Sequence, residues 1–236
     1  MKRIILLIVL IVFTVLFCIA GKFAFDILTM PKIESFADTN PATTKMMKRN
    51  GDEKQAKMNW VSLENISPRL VRAVLLSEDP AFFWHHGIDW GEFRLAMKQN
   101  IERRAFYRGG STITMQLARN LFISPSRNPL RKIEEMIVAM MIEKKLSKKR
   151  TLELYLNIAE WGPHIYGAEA GAQYHFGTSA SNLTVDQACG MAAILPSPKK
   201  WNPNKPGKML TNRIARLKDR YETFPQFLPE DLAPKD

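Results

Sequence analysis

Cysteine is nearly absent from this 236-residue chain, which has two, Cys18 and Cys189. One of them falls inside an apolar run, so an intrachain disulfide framework is excluded. Strand-like alternation of apolar and polar residues is missing at any useful length, and no segment repeats. The adjacent histidines His85 and His86 have no further ligands at metal spacing, which argues against a zinc site. Acidic residues are short relative to basic ones, 23 against 34, leaving a net charge of +11. That balance calls for an anionic partner: nucleic acid, a phosphate-bearing substrate or an acidic membrane surface. Hydrophobic content of 46% is ordinary for a globular protein, and the length allows one medium domain with a short accessory segment.

What is present begins with an uncharged apolar run over residues 4–21, preceded by Lys2-Arg3 and extended past Lys22 by Phe23, Ala24 and Phe25. Its length suits a bilayer-spanning helix and exceeds the apolar core of a secretory signal. No small-x-small cleavage pattern follows, and Phe17 ahead of Cys18 speaks against lipoprotein processing. The basic pair favours a cytoplasmic N-terminus, with the rest of the chain outside. A domain so placed has little occasion to meet nucleic acid, so no nucleic-acid partner is expected. The expected organisation is a transmembrane anchor over 1–25, a polar linker or stalk over 26–59, a globular domain over 60–220 and a Pro-rich tail over 221–236.

Within the globular part the periodicity is helical almost throughout, which makes the domain mostly α. Ser67 is a good N-cap with Pro68 in the first turn, and Leu70, Val71, Val74 and Leu75 recur at helical spacing until Pro80 forces an end. Further helices are expected over 91–102 behind Asp89, from Ser111 or Thr112 to 119, over 130–146 behind Asn128-Pro129, and from Ser147 or Thr151 to about 159. Later ones fall over 168–175, 185–195 and 210–220.

The first helix ends on Glu78-Asp79. The negative end of its dipole disfavours a further negative charge there, a setting that suits a proton-accepting carboxylate. Gly109-Gly110-Ser111-Thr112 joins a glycine pair to a helix N-terminus, which offers N–H groups to an anion. Arg119, Arg127, Arg131 and Lys132 are spaced to form a cationic patch for a pyrophosphate. Glu134 and Glu135 then enter a helix that is apolar on all sides from 136 to 142, the pattern of a buried helix. A buried carboxylate needs a partner. Either Arg131 or Lys132 supplies a structural salt bridge, or Glu135 is a second acid facing Glu78 across a cleft, as in lysozyme-like folds.

These blocks, in their order, resemble monofunctional biosynthetic peptidoglycan glycosyltransferases, relatives of the glycosyltransferase domain of bifunctional penicillin-binding proteins. The blocks are Glu78-Asp79…Phe82…His85…Gly87, Gly109-Gly110-Ser111-Thr112-Ile113…Gln116…Arg119-Asn120, Arg131-Lys132…Glu135, Glu143-Lys144…Ser147-Lys148…Tyr155-Leu156-Asn157, Glu160-Trp161-Gly162…Gly167…Glu169-Ala170, Tyr174…Phe176-Gly177 and Leu195-Pro196…Asn202-Pro203. The resemblance spans roughly residues 60–205. It implies a mostly α, lysozyme-like glycosyltransferase domain behind one N-terminal transmembrane helix, single-pass in the cytoplasmic (inner) membrane with the catalytic domain periplasmic. It further implies lipid II and the growing glycan as substrates and cell-wall synthesis or divisome proteins as partners.

By the same resemblance Glu78 is the general base and Glu135 assists departure of undecaprenyl pyrophosphate, directly or through a divalent cation such as magnesium or manganese. Arg119, Arg127 and Lys132 hold the phosphates, while Ser111, Thr112 and Gln116 line the sugar sites. Asp79, Phe82 and His85, with Asn120 and Arg131, complete the substrate-binding set. The chain departs from the family pattern twice. Met115-Gln116 stands where two glutamines are usual, which removes one polar contact, and Arg119 stands where lysine is usual, which changes the charge's geometry.

Two other readings compete: a membrane-anchored lytic transglycosylase or muramidase-like enzyme, and an inactive scaffold of the wall-synthesis machinery. The basic patch and the anchor favour synthesis over cleavage, and the presence of both glutamates speaks against a scaffold. Ser197-Pro198-Lys199-Lys200 spells a Ser-x-x-Lys motif, but too few residues follow for a transpeptidase domain and no Lys-Thr-Gly is among them.

Overall fold

A computed structural model describes residues 2–30, 32–105, 109–123 and 131–224, together with Leu228 and Leu232. The chain opens with α1 (Lys2–Thr29). A number of its side chains lie outside the described set; counted on the described residues alone, no helix is long and apolar enough to cross a membrane. The domain then runs through α2 (Lys45–Asn50), β1 (Lys57–Met58), α3 (Pro68–Glu78), α4 (Trp90–Glu102), α5 (Ile113–Leu121), α6 (Arg131–Lys145) and α7 (Lys148–Ile158). It closes with β2 (Glu160–Gly162), β3 (Ile165–Tyr166), α8 (Ala168–Phe176), α9 (Val185–Ile194) and α10 (Lys208–Thr223).

The helix starts follow the capping chemistry of the sequence. Ser67 accepts from the Arg69 N–H with Pro68 in the first turn, Asp89 accepts from Glu92, Thr112 from Met115 and Ser147 from Arg150. Each satisfies one of the N–H groups that a helix start leaves without a partner. Thr184 and Gln187 form a full capping box at the start of α9. Asn128, the cap expected for α6, lies outside the described residues.

Two large apolar cores, with two small clusters beside them, fill the described part of the domain, and α7 is the wall between the large ones. Leu152, Tyr155 and Leu156 face a core built with α3, α8, α9 and Trp161. Leu154 and Ile158 face a second core built with α5 and α6. Because residues two apart on a helix point to different sides, one helix serves both. The C-terminal end of α3, in the first core, therefore meets the N-terminal end of α5, whose helix belongs mainly to the second.

Three expectations need correction. Residues 26–59 do not read as a stalk in the structure: Ile33 belongs to the second core, Met46 and Met47 of α2 are buried against Tyr166, and Asp52 is almost wholly buried. The apolar residues of this stretch, among them Ile33, Phe36, Met46, Met47 and Met58, follow no helical or strand period, which hid its packing from a periodicity argument. Strands do exist. β3 pairs in parallel with β1 and antiparallel with β2, but each is too short for alternation to register. Finally, α6 is not buried on all sides, since Ile133 and Met140 are exposed. Its inner face is Glu135, Val138, Ala139 and Ile142.

Candidate active site

A cavity of about 690 Å³ opens where the two cores meet. Its floor is Ser77 and Glu78 from the end of α3, its walls are residues 109–112 and Gln116 from the start of α5, and Pro196, Arg213 and Arg220 close it from the other side. Glu78 ends its helix as the sequence requires, because Asp79 takes a non-helical conformation ahead of Pro80. Its side chain is 13% exposed. Oε1 accepts from Ser77 Oγ at 3.0 Å and from Arg213 Nη2 at 3.1 Å, and Oε2 accepts from Gln116 Nε2 at 3.1 Å. Gln116 in turn accepts from the Tyr155 hydroxyl at 3.1 Å. Burial first, and the Glu78 charge second, push the Tyr155 pKa well above its ordinary value, so this hydroxyl stays protonated and donates.

Glu135 stands in a second, cationic cluster. It is 2% exposed and pairs with Arg131 Nε at 3.4 Å and Lys132 Nζ at 3.2 Å. Lys132 also donates to Ser111 Oγ at 2.6 Å, and Ser111 lines the cavity. One serine thus links the Glu78 cavity to the Glu135 cluster. Burial lowers the Lys132 pKa, the Glu135 carboxylate works against that, and the Arg119 and Arg131 charges add to the lowering. Arg119 lies in the last turn of α5, where a cation also offsets the helix dipole. Arg49 of α2 feels the same two arginine charges, after burial, in the lowering of its own pKa. Arg131 and Lys132 thus pair with one buried carboxylate while the charges of Arg119 and Arg49 act on the same cluster, a surplus of positive charge suited to a diphosphate. Arg127 lies outside the described residues.

The other expected substrate residues divide. Ser111 and Gln116 present polar atoms at the cavity. Thr112 borders it, but its hydroxyl caps α5 and donates to the Gly87 carbonyl at 2.6 Å. Asp79 also borders it, yet both of its oxygens are engaged: His85 Nε2 lies 3.0 Å from each, and the Ile113 N–H donates to Oδ2 at 2.8 Å. Phe82 is fully buried, edge-on to the His85 ring and under the Lys148 ammonium at 4.5 Å. Asn120 is buried too. Among the described residues Phe82, His85 and Asn120 are not part of the cavity lining; Asp79 and His85 form a framework that pins the 79–87 turn onto the start of α5. Gly87 belongs to that framework, with φ +84° and the place of a Cβ only 2.9 Å from the Ala139 carbonyl oxygen, so no larger residue fits without strain.

Sequence reasoning missed Arg213, Arg49, Ser77 and Tyr155 as site groups. Tyr155 sits in one of the quoted blocks, which is the signal that pointed toward it. Ser77 directly precedes Glu78 in the chain, whereas Arg49 and Arg213 had no signal in the sequence, Arg213 reaching Glu78 across 135 positions. A metal held by the protein does not fit the patch. Glu135 is already engaged by two cations, and among the described residues no group of three metal-binding side chains converges. No chemical step is therefore derived through a metal.

Comparison with known proteins places this geometry. The family model described as Transglycosylase matches residues 43–222. A biosynthetic peptidoglycan transglycosylase of Bordetella avium is 44% identical over 193 residues, 77% of this chain and 80% of its own length. The protein of the same name from Chromobacterium violaceum is 36% identical over 216 residues, covering 88% of this chain and 95% of its own. One from Rhizobium leguminosarum bv. trifolii is 48% identical over 161 residues, 68% of each chain.

Proposed function

The chain belongs to the transglycosylase family and is a peptidoglycan glycosyltransferase, and from that premise we propose that it polymerises lipid II with Glu78 as general base. Its mostly helical, two-core architecture fits a lysozyme-like transglycosylase domain. The acceptor's 4-hydroxyl gives its proton to Glu78 and its oxygen bonds to the anomeric carbon of the growing glycan. The bond from that carbon to the pyrophosphate breaks, with the electron pair leaving on phosphate. Attack from the opposite face inverts the centre and gives a β-1,4 link. Arg119, Arg131 and Lys132, with Arg127 and Arg49, receive the developing charge, which is electrostatic stabilisation by preorganised cations. Glu135 holds Arg131 and Lys132 in place for that task.

The observation that carries this reading is Ser111. It lines the Glu78 cavity and accepts from Lys132 of the cation cluster at 2.6 Å, so base and leaving-group site adjoin. The test is incubation of the detergent-solubilised protein with labelled lipid II and separation of the products by size. Glycan strands with undecaprenyl pyrophosphate released support the reading. Cleavage of preformed glycan without polymer would favour the lytic alternative, and no product at all the scaffold.

We also propose that α1 anchors the protein in the cytoplasmic membrane, N-terminus inside and catalytic domain outside, where cell-wall synthesis proteins are its partners. Three features support this. At about 1.5 Å per residue its 28 residues exceed the roughly 30 Å hydrocarbon core. Large apolar side chains such as Leu6, Leu10, Phe13 and Phe17 are exposed on it. Lys2 and Arg3 precede the apolar run. The catalytic domain, in this reading, starts near residue 33 instead of 60. Protease digestion of intact spheroplasts should remove the domain; its survival would refute the orientation.

A further inference from the structure

Glu78 is held more completely on one oxygen than on the other. Oε1 accepts two hydrogen bonds, from Ser77 Oγ at 3.0 Å and Arg213 Nη2 at 3.1 Å. Oε2 accepts one among the described residues, from Gln116 Nε2 at 3.1 Å. A carboxylate oxygen offers two lone-pair directions, so Oε1 is filled and Oε2 keeps one open.

Both grips are themselves fixed from behind. Arg213 Nε donates to the Ala193 carbonyl at 3.0 Å, and its Nη2 also donates to Ser77 Oγ at 2.9 Å. The guanidinium is thereby locked to the end of α9 before it reaches Glu78. On the other side, the Tyr155 hydroxyl donates to Gln116 Oε1. A carboxylate can only accept, so the Gln116 amide presents its NH₂ to Glu78 and turns its carbonyl oxygen to the Tyr155 hydroxyl, which donates to it.

We propose that Arg213 is a positioning residue that makes Oε2 the proton-accepting atom of Glu78. This rests on the polymerase reading given above. The acceptor hydroxyl transfers its proton to the open lone pair of Oε2 as its oxygen bonds to the donor carbon and the pyrophosphate departs with the bonding pair. The product carboxylic acid carries O–H on Oε2 and a carbonyl at Oε1, so the Arg213 and Ser77 contacts survive the step unchanged. The proton then passes to solvent, restoring the carboxylate. A group that keeps its contact through proton transfer holds geometry at no cost to the reaction, and misplacement of a reacting group by about 1 Å costs about a hundredfold in rate. Lysine carries the charge but lacks the planar fork needed to hold Ala193 and Glu78 together.

The test is steady-state polymerisation of labelled lipid II by the full chain in detergent, comparing wild type with Arg213→Gln, Arg213→Lys and Ser77→Ala. Labelled lipid II binding and thermal unfolding are measured on each. For Arg213→Gln we expect kcat to fall roughly 10–100-fold with KM within about threefold. Arg213→Lys is expected to recover part of that loss, and Ser77→Ala, which keeps the Ala193 anchor, to lower kcat about 3–10-fold. Unchanged kcat in Arg213→Gln, or a raised KM with kcat intact, overturns the proposal. Should Arg213→Gln fail to fold, Ser77→Ala decides, and wild-type kcat in that variant overturns the proposal. Absence of glycan from the wild type would instead overturn the polymerase reading itself.

Discussion

Lys132→Ala separates a structural from a functional role for the cationic cluster. Lys132 is held between Ser111 and Glu135, and Glu135 is almost wholly out of solvent. The substitution leaves that carboxylate with Arg131 alone, at 3.4 Å. Removing one partner from a fully buried ion pair costs about 3–5 kcal/mol. Here the lysine side chain is 37% exposed and a second cation remains, so the expected cost is about 1–2 kcal/mol. For a domain of this size that lowers Tm by roughly 2–8 °C. Thermal unfolding of the solubilised full chain, followed by circular dichroism, reads it directly. Adding Glu135→Gln removes the stranded charge, so the double variant should regain most of the lost Tm while its affinity for labelled lipid II stays weakened. A Lys132→Ala protein as stable as wild type, or a double variant less stable than the single, would refute the pairing argument.

Other outcomes follow from buried groups away from the cavity. Gly87→Ala combines a left-handed backbone with a contact to the Ala139 carbonyl and should cost about 2–4 kcal/mol, seen as a Tm loss; a Tm within roughly 1 °C of wild type would contradict it. Burial pulls the His175 pKa below its usual range despite the hydrogen bond to the Trp161 carbonyl. The unfolded chain then binds this proton first, so the stabilisation is complete above about pH 6.5 and is lost as pH falls below it. Tm should drop on acidification to about pH 5.5, and drop less in His175→Gln; equal drops would remove His175 from the effect. Burial also pushes the Cys189 thiol up to about 11. This residue should therefore resist iodoacetamide until the protein is denatured, and rapid native labelling found by mass spectrometry would show the site to be open.

Local chemistry made much of the fold legible. Ser67-Pro68 and Pro80 bracket α3 and so fix Glu78 at its last residue, and Thr112 and Ser147 announce α5 and α7 by the caps they form. Packing between distant segments was not legible. The Asp52 carboxylate takes hydrogen bonds from Tyr166 and His164, each at 2.6 Å. Burial alone would raise its pKa, but those bonds and Lys199 outweigh it and hold the group low. Nothing near residue 52 in the sequence signals partners more than a hundred positions away. The same holds for Arg213, whose helix reads as an ordinary basic amphipathic one until it is folded over α3. On α6 the error came from the other direction: an all-apolar run over 136–142 implies burial on every side only when something is there to cover it, and Met140 is exposed instead. Within the family motifs, the sequence pattern marked Asp79, Phe82 and His85 as functional without separating groups that touch the cavity from groups that hold the turn beside it.

The central claim is that the Glu78 carboxylate, and not the cavity alone, drives polymerisation. Glu78→Gln keeps the size of the side chain and removes its ability to take a proton. The most direct measurement is glycan formation from labelled lipid II by this variant beside the wild type, with binding of the same lipid II measured on both. The account predicts that the variant binds lipid II and folds like the wild type yet forms no glycan strands. Glycan from the variant at an appreciable fraction of the wild-type rate would contradict it.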